Sequence, residues 1–165
     1  MRTHTIIESP IGDLTLVADD SRLSGLYMEQ HKRRPAISTM GSRAPIGFES
    51  VQEQLNEYFA GDRTEFTFDL APDGDAFQRQ VWDRLKAIPY GETRSYGAIA
   101  KELGDRSLAQ AVGAANALNP IAIVVPCHRV IGADGKLVGY AGGLERKEFL
   151  LGLENPDRAI ARPLF

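Results

Sequence analysis

The chain is poor in the residues that build covalent or metal-held frameworks. It has 1 cysteine, 1 tryptophan and 3 histidines in 165 residues. One cysteine excludes an internal disulfide, which fits a reducing cytoplasm. Only His4 and His31 fall in the N-terminal part, so the cluster a zinc site needs is missing there. No run approaches the ~20 apolar residues of a membrane helix. The start, "MRTHTIIESPIGDL", lacks the apolar core of a signal peptide. A large excess of one charge is also missing. The net charge of -3 argues weakly against nucleic acid. It is unevenly spread, however. Residues 1–75 carry 7 Lys/Arg against 13 Asp/Glu, whereas residues 76–151 carry 10 against 7. The basic half can face phosphates or be ordinary solvated surface.

What is present reads as an α+β chain. "THTIIES", "DLTLVAD" and "RLSGLYM" alternate as three short strands separated by the turns "PIG" and "DDS". Residues 30–47 are polar, rich in Pro and Gly and aperiodic, which predicts a loop. Phe48, Val51, Leu55, Tyr58 and Phe59 form one helical stripe stopped by Gly61. "TEFTFDL" alternates Phe66, Phe68 and Leu70, which predicts a half-buried strand. An N-terminal α/β domain over residues 1–74 results, and a second domain over residues 75–165. The second opens with a helix capped by Asp75 that carries Phe77, Val81, Leu85 and Ile88 inward, with Trp82 in the core. "SYGAIAKELG", capped by Ser95, and "SLAQAVGAANALN", capped by Ser107, then form a helix pair. "IAIVV" reads as a short buried extended run, "GADGKLVGYAGG" as a glycine-rich loop, and "LERKEFLLGLE" as a last helix.

The second helix of the pair contains no Lys or Arg between Ser107 and Asn119. Ala109, Ala111, Gly113, Ala114, Ala115 and Ala117 make it narrow. Such a helix packs closely on a neighbour, or enters a tight groove. In the groove, backbone N–H groups near Ser107 would hold phosphates with help from the helix dipole. Arg94, Lys101 and Arg106 lie around this pair and can add charge.

The lone cysteine, in "IVVPCHRVIG", is open to two readings. A lone cysteine is often a small buried hydrophobe. Against this, Pro126 breaks the apolar run just before Cys127. His128 can carry a proton near neutral pH. Arg129 adds charge that favours thiolate. Asn119, across a turn, can orient the backbone. On an extended backbone His128 would point away from Cys127 and reach it only through a water.

"PCHRVIG", with "NP" upstream and "GYAGG" downstream, closely resembles the O6-alkylguanine-DNA alkyltransferases, the methylated-DNA–protein-cysteine methyltransferases. The resemblance extends through "SPIG" and "FQRQVWDRLKAIPYGETRSYGAIA" over essentially the whole chain. It implies an α+β fold: a small ribonuclease-H-like antiparallel sheet with a helix, then a mostly helical, winged-helix-like catalytic and DNA-binding domain with a helix-turn-helix. It implies single-turnover repair of O6-alkylguanine in double-stranded DNA, with O4-alkylthymine as an open second substrate. No metal or organic cofactor is implied, and no membrane. The protein would be a monomer, with cooperative assembly on DNA left open.

By the same resemblance Cys127 is the alkyl acceptor, His128 the water-assisted base and Glu154 the carboxylate that orients it. Asn119 supports the cysteine turn, and Tyr96 donates to the guanine ring nitrogen. The carbonyls of Cys127 and Val130 read the exocyclic amine. Tyr140, Ala141 and Gly142 wall the base pocket, with Lys147 nearby. Arg94, Ser95, Ser107, Gln110, Ala111, Gly113, Ala114 and Arg129 complete the expected DNA-facing set. The chain departs from the family at Gln110, where an arginine is usual, and at Ala141, where some members have serine. Two rival readings stay open: a multiple-turnover cysteine hydrolase or transferase, and a damage-binding module without chemistry.

Overall fold

A computed structural model describes residues 1–157 of the chain. The last residues of the expected second domain, 158–165, lie outside them. Two compact units form, Met1–Asp73 with Pro120–Val124, and Gly74–Asn119 with Val125 onward.

The first unit is a four-stranded sheet in the order β3-β2-β1-β4. β1 (Arg2–Ile7), β2 (Leu14–Asp19) and β3 (Arg22–Met28) pair antiparallel in sequence. Their alternation of apolar residues produces this, with a register shift between Val17 and Ala18. The "SPIG" turn closes on itself: Ser9 Oγ donates to Gly12 O at 2.6 Å. β4 (Ser42–Arg43) lies within the expected loop and adds parallel to β1. Gly41 makes that approach possible, because a Cβ there would collide with the Arg2 carbonyl. α1 (Glu49–Phe59) buries Val51, Leu55 and Tyr58. It ends as the glycine predicts, with Gly61 N donating to Tyr58 O and Asp62 N to Glu57 O.

"TEFTFDL" does not form the expected strand. Phe66, Phe68 and Leu70 do sit half-buried, but only Leu70 bridges, to Leu23. The Gln54 side chain of α1 takes the place of a neighbouring strand. Its Oε1 accepts from Thr67 N at 2.9 Å and its Nε2 donates to Thr67 Oγ1 at 2.8 Å. "IAIVV" is buried but not extended. Ile121 makes one bridge to Leu26, and Ile123 is left-handed, with φ 71°. A β-branched residue strongly resists that conformation, so the segment turns under strain.

The second unit is helical. α2 (Ala76–Lys86) is capped as expected by Asp75, in a reciprocal box with Gln78. β5 (Arg94–Ser95) leads into α3 (Tyr96–Glu102), where Ser95 Oγ accepts from Ala98 N at 3.0 Å. A single turn of 3₁₀ helix, Arg106–Leu108, precedes α4 (Ala109–Ala117). Asp105 caps that turn, its Oδ1 accepting from Ser107 N at 2.9 Å, and α4 begins after Leu108 with no side-chain cap, so the expected Ser107 cap is not formed. Trp82 is in the core as expected and donates to Ala115 O at 2.9 Å, joining α2 to α4. Val81, Leu85, Ile99 and Val112 are fully buried between these helices. Each contributes about 1.5–3 kcal/mol of transfer free energy. β6 (Val130–Ile131) pairs parallel with β5, and α5 (Leu144–Glu154) follows the glycine-rich loop.

Candidate active site

Two tight turns deliver the cysteine. Cys127 N donates to Val125 O at 2.8 Å, and Arg129 N to Pro126 O at 2.9 Å. Cys127–Arg129 therefore curl into 3₁₀ helix instead of running extended. Asn119 Nδ2 donates to Val125 O at 2.8 Å and steadies the first turn. Cys127 is only 4% exposed, and burial raises its thiol pKa. Asn119 and the Lys147 ammonium act in the opposite direction, towards thiolate.

His128 is 0% exposed. Its Nε2 lies 2.7 Å from Glu154 Oε2. Burial by itself would raise the Glu154 pKa, yet His128 and Arg129 hold it down to about 2. An ionised carboxylate only accepts, so the proton in this bond sits on His128 Nε2. Burial also lowers the His128 pKa, with Arg129 and Lys147 adding to the effect against Glu154. A neutral ring with Nε2–H results. Its Nδ1 is left buried, unprotonated and without a hydrogen-bond partner.

Arg129 is not on a DNA-facing surface, contrary to expectation. It is 7% exposed, and its guanidinium is consumed inside the fold. Nε donates to Glu154 Oε1 at 2.7 Å, Nη2 to Glu154 Oε2 at 3.0 Å, and Nη1 to Ile88 O at 2.7 Å. The Tyr90 ring lies 5.7 Å from its centre.

Lys147 reaches in from α5, completely buried. Its Nζ donates to Val130 O at 2.6 Å and to Gly139 O at 2.9 Å. It thereby fastens the glycine-rich loop to β6. Val130 O, expected to read a base, already accepts one hydrogen bond here. Tyr140 is buried with its hydroxyl towards Cys127 but outside good hydrogen-bond geometry; burial raises its pKa well above the ordinary phenol value. Ala141 is half-buried and Gly142 buried, its carbonyl accepting from Arg146 Nη1 at 3.2 Å. Tyr96, half-buried at the start of α3, has its pKa raised by burial and then by Cys127. Gly113 faces this ring; a Cβ there would lie 3.8 Å from it.

α4 has two unlike faces. Val112, Ala115 and Asn116 point inward. Gln110, Ala111 and Ala114 are exposed, with Gly113 half-buried beside them. The backbone donors expected to hold phosphate near Ser107 are already used. Ser107 N is bound to the Asp105 carboxylate, and Leu108 N to Asp105 O at 3.0 Å. Arg94, half-buried, pairs with Glu92 at 3.2 Å. Lys101 and Arg106 are exposed.

Sequence reading missed Asn116. Its Nδ2 donates to Cys127 O at 3.4 Å, a long bond from α4 to the cysteine turn. The signal was available: Val112, Ala115, Asn116 and Asn119 follow i, i+3, i+4, i+7 spacing, which places a polar residue on a buried stripe. Among the described residues, no group of three or more His, Cys, Asp or Glu side chains is arranged to hold a metal ion. No helix among them is long and apolar enough to cross a membrane.

Known proteins resemble this chain in sequence and fold. Residues 3–72 match the ribonuclease-like domain of 6-O-methylguanine DNA methyltransferase, and residues 76–156 its DNA binding domain. The methylated-DNA–protein-cysteine methyltransferase of Mycolicibacterium paratuberculosis is 51% identical over 165 residues, 100% of this chain and 99% of that one. The protein of the same name from Methanosarcina acetivorans is 50% identical over 151 residues, 92% and 97% of the two chains. The crystal structure of Mycobacterium tuberculosis OGT in complex with DNA superposes with a TM-score of 0.88 at 51% identity, covering 93% of each chain.

The chain belongs to the 6-O-methylguanine DNA methyltransferase family. Its relatives are methylated-DNA–protein-cysteine methyltransferases, and Cys127 is the chain's 1 cysteine. The first unit contributes no thiol, since that cysteine lies in the second.

Proposed function

We propose that this methyltransferase repairs O6-alkylguanine in duplex DNA, with Cys127 as acceptor, and is consumed in one turnover. The carrying observation is the neutral, buried His128, whose Nε2 is committed to Glu154 and whose Nδ1 is free to take a proton. The thiol gives its proton towards Nδ1, directly or through a water. The sulfur attacks the alkyl carbon, an S–C bond forms and the C–O6 bond breaks. The electron pair remains on the base, and the Tyr96 hydroxyl supplies the proton its ring nitrogen needs. The proton His128 took from the thiol then returns through solvent to Tyr96, so the proton lost by the thiol balances the one gained by guanine. The product is a thioether, which has no good leaving group, so no second cycle follows.

The target atom lies inside the base stack, and the nucleotide must leave it. α3, the 3₁₀ turn and α4 act as a helix-turn-helix. The small exposed face of α4, with Ala111, Gly113 and Ala114, enters the minor groove. Lys101 and Arg106 contact phosphates, along with Ser95 and with Arg94 once it leaves Glu92. Gln110 takes the space of the extruded nucleotide and hydrogen-bonds its orphaned partner. Tyr140, Ala141 and Gly142 wall the base pocket, and the carbonyls of Cys127 and Val130 face the exocyclic amine. Lys147 holds that wall in place, and Asn119 holds the turn. The protein acts as a monomer in the cytoplasm. O4-alkylthymine presents a similar alkyl carbon, and a duplex carrying it tests whether the same pocket accepts it.

The test is a titration with excess O6-methylguanine duplex. Restored guanine should plateau at one per protein. A product yield that keeps rising would support the multiple-turnover hydrolase or transferase reading instead.

A further inference from the structure

We propose that Arg129 is a positioning residue for alkyl transfer: by gripping both oxygens of Glu154 it keeps His128 neutral and reserves Nδ1 as the proton acceptor. The inference rests on the reading of Cys127 as the acceptor. Its geometry is on the fold alone. A buried carboxylate paired only with an imidazole favours imidazolium, because the charged pair is better than a charge alone. An imidazolium has no lone pair on Nδ1 and can receive nothing from the thiol.

Here the carboxylate already has a permanent cation. Arg129 holds Oε1 through Nε and Oε2 through Nη2, and its third bond, to Ile88 O, prevents the fork from swinging away. Tyr90 covers the guanidinium. Among the described residues the Lys147 ammonium from α5 also faces His128 and opposes a second positive charge. The Cys127 thiol and the Tyr140 hydroxyl, both facing this site, are neutral when protonated. Glu154 therefore accepts from His128 Nε2 without drawing a proton onto the ring.

The test follows the ring nitrogens of His128 by ¹⁵N-edited NMR, which 3 histidines make tractable, alongside single-turnover methyl transfer against pH. In the native protein His128 should stay an Nε2–H neutral ring well below the ordinary value of about 6.5. In Arg129→Gln its titration should move up by about one unit or more. The acid limb of the transfer rate should move with it, so that activity falls at pH 7 and recovers in alkali. Arg129→Lys retains the cation and should keep the limb near its native position. A native His128 that titrates near 6.5, or that carries its proton on Nδ1, would overturn the proposal even if Arg129→Gln does not fold. An unmoved titration in folded Arg129→Gln, or a limb displaced equally by Lys and Gln, would overturn it too. Failure of the native protein to accept any methyl group would instead remove the underlying reading of Cys127.

Discussion

The Cys127 turn and the outer face of α4 sit in the same helical unit and are built on opposite principles. Around the turn, charged groups are buried and bound to one another: Glu154 to His128 and Arg129, Lys147 to two carbonyls. On the outer face of α4 almost nothing is charged, and the side chains at 111, 113 and 114 hardly extend beyond the backbone. The contrast separates two tasks. Proton handling needs fixed partners and a dry site, where a small displacement changes which nitrogen carries a proton. Entering a groove, the task proposed for α4, needs thinness, and the small exposed side chains supply it by omission. On the proposed reading, affinity for DNA comes from residues around α4 rather than from charge on α4 itself.

Breaking the buried side should have the larger effect. Glu154→Gln leaves Arg129 without its counter-charge and replaces one of the two acceptor oxygens shared by His128 and Arg129 with a donor NH2. Loss of one partner of a buried pair costs about 3–5 kcal/mol, read as a fall in unfolding free energy by denaturant titration. Single-turnover transfer should fall by about 10²-fold, the usual range for a displaced general base. A variant of native stability and rate would mean the network is ornamental.

Acid should act in the same direction, more gradually. Folded Glu154 holds its proton less readily than a free glutamate. Its contribution is complete above the ordinary 4.5 and is lost as pH falls through about 2. The full span is worth about 3 kcal/mol. His128 also titrates below its ordinary value. The unfolded chain therefore binds more protons than the native one below pH ~6.5, and stability declines from there. Unfolding free energy measured from pH 7 to 3 should decrease monotonically, and His128→Gln should flatten its upper part.

The exposed side should respond more weakly. Gln110→Arg adds a cation where α4 has none. Affinity for duplex DNA should rise several-fold at low salt, and the salt slope should steepen by about one phosphate contact. No change in either affinity or repair rate would show that Gln110 does not face the nucleotide.

The two regions were also unequally legible in the sequence. Local signals were reliable where a side chain acts on its own backbone: Asp75 and Ser95 cap the helices they precede, and Gly61 ends α1. Alternation in "TEFTFDL" gave the right burial but the wrong element, because a glutamine from α1 occupies the edge a strand would have used. "IAIVV" gave the right burial too, but its turn depends on a left-handed Ile123 that no propensity favours. Ser107 looked like the cap of α4, but Asp105 caps a 3₁₀ turn there and α4 follows without a side-chain cap. Cys127 and His128 stood out in the sequence itself, Glu154 was named through family resemblance, and the fold brings His128 and Glu154 within hydrogen-bond distance. The role of Arg129 was misread because charge in a sequence carries no direction. Whether an arginine faces DNA or a buried carboxylate is decided by a residue 25 positions away, and only tertiary contact reveals it.

The central claim is that Cys127 Sγ is the atom that receives the alkyl group. Peptide-resolved mass spectrometry, after incubation with a duplex carrying one O6-methylguanine, tests it directly. The account predicts one added methyl on the peptide containing Cys127, at one per protein, and none in Cys127→Ser. A methyl on any other peptide, or guanine restored by Cys127→Ser, would contradict it.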